Sequence, residues 1–237
     1  MDDLRAAIDA SANPADAAVL ARYFQSKPGG YGEGDVFIGV KLTELRRLTR
    51  PYARQAFVAE DWLPLLTSPV HEHRLATLVV MSQRADRGDE VERTSIYRTY
   101  LDHTVKINNW DLVDVSAAAV VGGFLTDRDR SVLLRLARSS MIWERRIAMI
   151  STHRFLRAGE SADTYAVATA LLNDSHDLIH KAVGWSLREA GRRVAADELR
   201  AFLDQWAPTM PRTALRYAIE HFDPDERRHY LGLRARS

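Results

Sequence analysis

The feature that most constrains this chain is a helix opening that recurs along it, one basic residue followed by an apolar run. It appears as His73-Arg74-Leu75-Ala76-Thr77-Leu78, Arg145-Arg146-Ile147-Ala148-Met149-Ile150, His180-Lys181-Ala182-Val183-Gly184-Trp185 and Pro211-Arg212-Thr213-Ala214-Leu215-Arg216. Lys181 follows Arg146 by 35 residues and Arg212 follows Lys181 by 31, while Arg74 and Arg146 stand 72 apart, two steps of 36. Each step has room for two helices of about 11–12 residues with their turns. The stretches between supply apolar residues at helical spacing, as in Leu75, Leu78 and Val79 or Val113, Ala117 and Val120. Turn chemistry separates them at Thr67-Ser68-Pro69, Asn173-Asp174-Ser175 and Ala207-Pro208. A period in the thirties with paired helices indicates a solenoid whose equivalent helices line one concave wall. The expected fold is therefore all-α, a right-handed superhelical α-solenoid of HEAT-like helix pairs, with residues 1–237 forming a single domain. One short strand candidate, Val36–Val40, follows the glycine-rich loop Lys27–Asp35, and Thr43 is a candidate N-cap for the helix that resumes at Leu42.

The repeat also lines up charge. If the openings are equivalent, Arg74, Arg146, Lys181 and Arg212 form a row of cations along one wall, which suits a phosphate backbone. The competing reading pairs each with an acidic neighbour such as Glu72, Glu144 or Asp177. Net charge is only +1 and does not by itself mark a nucleic-acid binder. Its distribution is uneven: residues 1–127 carry 14 Lys+Arg against 18 Asp+Glu, and residues 128–237 carry 19 against 14.

Several chemistries are excluded. The chain has no cysteine, which removes disulfides, thiolate zinc sites and thiol nucleophiles. Its eight histidines are scattered without metal-ligand spacing, so no metal or other cofactor is expected. There is no P-loop, dinucleotide glycine fingerprint or GxSxG elbow. Without a bilayer-spanning apolar run or a signal-peptide core, the expected location is the cytoplasm, on the nucleoid if the protein binds DNA.

Two stretches can carry chemistry. In Asn108-Asn109-Trp110-Asp111-Leu112-Val113-Asp114, Trp110 and Asp114 are i, i+4 on one helical face. An indole beside a carboxylate is a poor core pair but a good receiver for a cation, since the ring face attracts positive charge and the carboxylate neutralises it. In the second stretch Lys181, Trp185 and Arg188 share one helical stripe, interrupted by Gly184. A mid-helix glycine costs about 1 kcal/mol relative to alanine, which close approach of another backbone would justify, either the next helix or a nucleic-acid strand.

At these residues the sequence resembles the DNA alkylation repair family of HEAT-like DNA glycosylases, the AlkD family. The marks are Leu20-Ala21-Arg22-Tyr23-Phe24, Trp110-Asp111-x-Val113-Asp114, Trp143-x-x-Arg146-x-Ala148 and Lys181-Ala182-x-Gly184-Trp185-x-Leu187-Arg188-Glu189. The resemblance implies about six helix-pair units wrapping duplex DNA as a monomer, and cofactor-free removal of purines alkylated at N3 or N7, without base flipping. It further implies that Trp110, Asp114 and Trp185 stand beside the damaged nucleotide and Arg146 near its phosphate. Tyr23 would help hold the DNA, with Arg74, Lys181, Arg188 and Arg212 as further DNA contacts. The glycine-rich loop is longer than the family pattern leads one to expect.

Overall fold

The computed structural model describes residues 1–233, and their regular structure is helical. They fall into two compact units, residues 1–124 and the residues from Leu125 onward. The first unit contains α1 (Asp2–Ala10), α2 (Pro14–Tyr23), α3 (Leu42–Thr49), α4 (Ala59–Leu66), α5 (His71–Ala85), α6 (Glu90–Asp102) and α7 (Trp110–Ala117). A π-helical turn, Ala118–Gly122, continues α7. The second unit contains α8 (Ser131–Ala137), α9 (Ile142–Ser151), α10 (His153–Arg157), α11 (Ala162–Leu171), α12 (Asp177–Arg193), α13 (Ala196–Trp206), α14 (Arg212–Ala218) and α15 (Pro224–Gly232).

Helix ends follow their capping chemistry. Asn13 caps α2 and Asp223 caps α15, each accepting two backbone N–H groups and each followed by a proline at the first helical position. Asn109 caps α7. The expected cap at Thr43 is not used: Lys41 is the N-cap of α3, without a side-chain bond, and Thr43 lies inside the first turn.

In the first unit α5 is the central helix, packed by α3, α4, α6 and α7. In the second, α9, α12 and α14 pack side by side in succession, with α8 against α9 and α11 and α13 against α12. The helices that open with Arg146, Lys181 and Arg212 are thus neighbours, as the repeat spacing predicts. Gly184 is what brings α12 and α14 together: a Cβ there would lie 2.4 Å from the Ala214 carbonyl oxygen and 2.5 Å from Tyr217 Cβ. The close approach is between two helices.

The strand candidate yields one isolated parallel bridge, Val36 to Val70, and among the described residues no strand forms. The reason is Glu72, buried at 1% exposure, whose carboxylate accepts the amides of Ile38, Gly39 and Val40. Those amides are spent on a side chain and cannot enter a ladder. Among the described residues no helix is long and apolar enough to cross a membrane.

Candidate functional site

In the first unit the site is built on α7. Asn109, fully buried, accepts from the Trp110 amide at 2.9 Å and starts the helix there. Trp110 and Asp114 then occupy i and i+4, and both are half-buried. The indole lies tilted against Phe24, centroids 5.1 Å apart, and edge-on to Tyr23 at 6.0 Å. Tyr23 itself is 61% exposed. The Trp110 indole N–H donates to the Tyr31 hydroxyl at 3.2 Å, and that hydroxyl donates to the Tyr23 carbonyl at 3.2 Å.

Beneath Trp110 lies a buried charge network. The first turn of α5 contains His71, Glu72, His73 and Arg74, all buried. Asp35, from the end of the glycine-rich loop, pairs with Arg74 at 2.6 Å and with His71 Nδ1 at 3.0 Å. It also accepts from the side-chain amides of Asn108 and Asn109 at 2.9 and 3.3 Å. The other nitrogen of His71 meets Asp111 at 2.8 Å. Burial pushes against the charged forms, yet the two carboxylates raise His71 above its ordinary pKa, and His71 and Arg74 lower that of Asp35. Arg74 also donates to the Ser68 carbonyl at 2.8 Å.

Arg74 therefore departs from the cationic row. Its side chain is 4% exposed and its counter-charge is Asp35, 39 residues upstream, and not the neighbouring Glu72. Exchanging that partner for a phosphate would leave buried Asp35 without its guanidinium, held only by His71 and the two asparagine amides, a change that costs several kcal/mol.

In the second unit Lys181, Trp185 and Arg188 share the α12 stripe. Lys181 is paired with Asp177 at 2.7 Å, and Arg188 with Glu220. Asp177 and Glu220 are more than half exposed. Arg212 is exposed and donates to the Leu231 carbonyl at 2.6 Å. Arg146 is 5% exposed and donates to the Leu178 carbonyl at 2.7 Å, linking α9 to the start of α12. Trp185 is half-buried, with the His153 ring edge-on at 4.6 Å. The His153 Nε2 is 2.8 Å from Ser186 Oγ. Burial, joined by the nearby Arg157, Arg193 and Arg146 and opposed by Glu189, pushes the His153 pKa down to about 4. The imidazole is thus neutral at pH 7 and places no cation against the indole.

Sequence reasoning missed Tyr31, Asp35, His71 and His153. The capping Asn109 was visible as an Asn before a helical run. The partners of Asp35 lie 36 to 74 residues away, beyond any local pattern.

Comparison with known proteins agrees with this organisation. A solved structure described as a "Predicted DNA alkylation repair enzyme from Enterococcus faecalis" aligns with a TM-score of 0.69 at 16% identity, covering 90% of this chain and 98% of its own. At that identity the likeness shows the fold. Among curated proteins none matches the sequence. The family model for DNA alkylation repair enzymes matches residues 4–222, nearly the whole chain, and the chain belongs to that family.

Proposed function

We propose that this protein is a monofunctional DNA glycosylase that hydrolyses the N-glycosidic bond of purines made cationic by alkylation at N3 or N7. It acts on duplex DNA as a monomer, the whole chain serving as one DNA-binding domain, in the cytoplasm on the nucleoid. It needs no cofactor. The observation that carries this reading is the pairing of Trp110 and Asp114 on one half-buried face of α7, in a chain of this family.

The chemistry follows from charge. An N3- or N7-alkylpurine is already a cation and therefore a good leaving group, so no strong general acid is needed. As the bond breaks, positive charge moves to the sugar, giving an oxocarbenium-like transition state. On α7 the indole face of Trp110 and the carboxylate of Asp114 stabilise charge where it develops, and the family resemblance assigns the indole face of Trp185, on α12, the same kind of chemistry. The base then has no need to leave the stack, which restricts the enzyme to lesions that are cationic beforehand. Arg146 is assigned to the phosphate beside the lesion and Tyr23 to holding the DNA.

Lys181, Arg188 and Arg212 remain the phosphate contacts of this reading. Exposed ion pairs are worth about 0–1 kcal/mol, so Lys181 can exchange Asp177 for phosphate at small cost, and Arg188, which also lies 3.7 Å from Glu189, would give up only the exposed Glu220. Arg74 is left out because its pair is buried.

The test is release of 7-methylguanine from methylated duplex DNA by the purified protein, repeated with Asp114→Asn. Asn keeps the shape and removes the charge, which matters chiefly in the transition state. Single-turnover release should fall about 10²–10³-fold, by analogy with loss of one electrostatic stabiliser, while duplex binding persists. Binding without any release by the wild-type chain would make it a DNA-binding scaffold, and wild-type rates in Asp114→Asn would make Asp114 structural.

A further inference from the structure

We infer that Tyr31, carried by the glycine-rich loop, is a positioning residue that fixes the Trp110 indole through its hydroxyl. The inference rests on the glycosylase reading for its catalytic consequence, but the geometry stands apart from it. The Tyr31 hydroxyl has one proton, and it goes to the Tyr23 carbonyl at 3.2 Å. Its lone pairs face the Trp110 indole N–H, also at 3.2 Å. Donor and acceptor capacities therefore match, and one hydroxyl ties the nitrogen edge of the indole to the C-terminus of α2.

The loop that presents Tyr31 is held at two points beyond it. On the far side Asp35 is locked into the buried network with Arg74, His71 and the two asparagines that precede α7. On the near side Gly32 lets the loop backbone run against Phe24: a Cβ there would come within 2.3 Å of the Phe24 carbonyl oxygen and 3.1 Å of Asn109 Nδ2. Trp110 is thus held at its backbone by Asn109, the cap of α7, and at its ring by Tyr31 of the glycine-rich loop.

Such a hold matters because a π face stabilises a cation only at the right distance and angle, and an indole has two free side-chain torsions. Pinning the N–H edge removes that freedom before substrate arrives, so the ordering cost is not met at the transition state. A tether of this kind acts on the rate of bond cleavage more than on DNA affinity, since the backbone phosphates and not the indole edge supply most of the binding.

The experiment is Tyr31→Phe in the full chain, with two readouts. The first is single-turnover release of 7-methylguanine alongside the duplex Kd; release should fall by up to about tenfold, the upper end of the net worth of one hydrogen bond, with Kd within twofold. The second is the indole ¹H–¹⁵N resonance of Trp110 in the free protein, identified by its loss in Trp110→Phe. It should move upfield and its proton should exchange faster in Tyr31→Phe. Gly32→Ala, which displaces the loop while keeping the hydroxyl, should lower release at least as far.

An unmoved indole resonance would overturn the tether, whatever the rate. A moved resonance with release within twofold of wild type would make Tyr31 a structural contact only and overturn the positioning role. A wild-type chain that releases no 7-methylguanine would overturn the glycosylase reading and with it the catalytic consequence, while the indole resonance would still decide whether Tyr31 holds Trp110.

Discussion

Replacing Gly184 by alanine sets two opposing effects against each other, and the structure decides the sign. Alanine in a helix interior is favoured over glycine by about 0.8–1 kcal/mol, so an isolated α12 would gain. Against this, the new Cβ would lie 2.4 Å from the Ala214 carbonyl oxygen, 2.5 Å from Tyr217 Cβ and 3.0 Å from Ala214 Cα. Two of these three atoms belong to the α14 backbone and cannot swing away. Ordinary contact would require α12 and α14 to separate by roughly 1 Å, and a gap of that size forfeits about a quarter to a half of each dispersion contact along the seam. Overpacking of this kind costs about 1–3 kcal/mol. The net expectation is a loss of about 1 kcal/mol, or roughly 2–4 °C in Tm for a chain of this size. Urea unfolding followed by far-UV circular dichroism, with calorimetry alongside, measures it. A midpoint equal to or above that of the wild type would refute the claim that helix contact explains this glycine. An unchanged midpoint with weakened duplex binding would instead assign the space above Gly184 to nucleic acid.

The two buried histidines should bend the stability profile in opposite directions. The folded pKa of His71 is raised, so its contribution is full below about pH 6.5 and drains as pH climbs through the folded value. That of His153 is depressed to about 4, so its contribution is present above about pH 6.5 and is lost as pH falls towards 4, by up to about 3 kcal/mol. Tm scanned against pH should show both arms, with His71→Asn flattening the alkaline one and His153→Gln the acid one; retention of both arms in the variants would sink the assignment. Arg74→Ala should destabilise by about 3–5 kcal/mol, because Asp35 loses its guanidinium partner in a buried site, and a change under 1 kcal/mol would return Arg74 to the surface row. Duplex affinity should fall with salt at a log–log slope of about −3 if Lys181, Arg188 and Arg212 each meet one phosphate, and a flat salt response would refute those contacts.

Local chemistry was legible in the sequence and long-range chemistry was not. Paired helices at a step near 35 residues, the asparagine before α7 and the glycine inside α12 are written within single repeats, where helical periodicity and capping operate. The partner of Arg74 was not legible, because Glu72 is nearest in sequence while Asp35 is nearest in space. The Glu72 carboxylate was instead committed to three amides of residues 38–40, which also dissolved the expected strand. The role of Tyr31 was hidden for a related reason. A tyrosine among glycines looks like surface loop until the indole it meets, 79 residues onward, is placed beside it.

The Asp35 junction has a consequence for how the N-terminal region can vary. Surface loops ordinarily tolerate insertion and deletion, because few buried groups depend on them. Here the loop delivers the carboxylate shared by two cations in the first turn of α5, so its length is a matter of charge balance inside the protein. Shortening it between Tyr31 and Asp35 would take from Arg74 and His71 the carboxylate that both of them contact. Variation in this loop is therefore expected to gather at Lys27 and Pro28 and to spare the spacer Gly32-Glu33-Gly34, since Gly29 holds a positive φ and a Cβ at Gly30 would lie 1.9 Å from the Gln25 carbonyl oxygen.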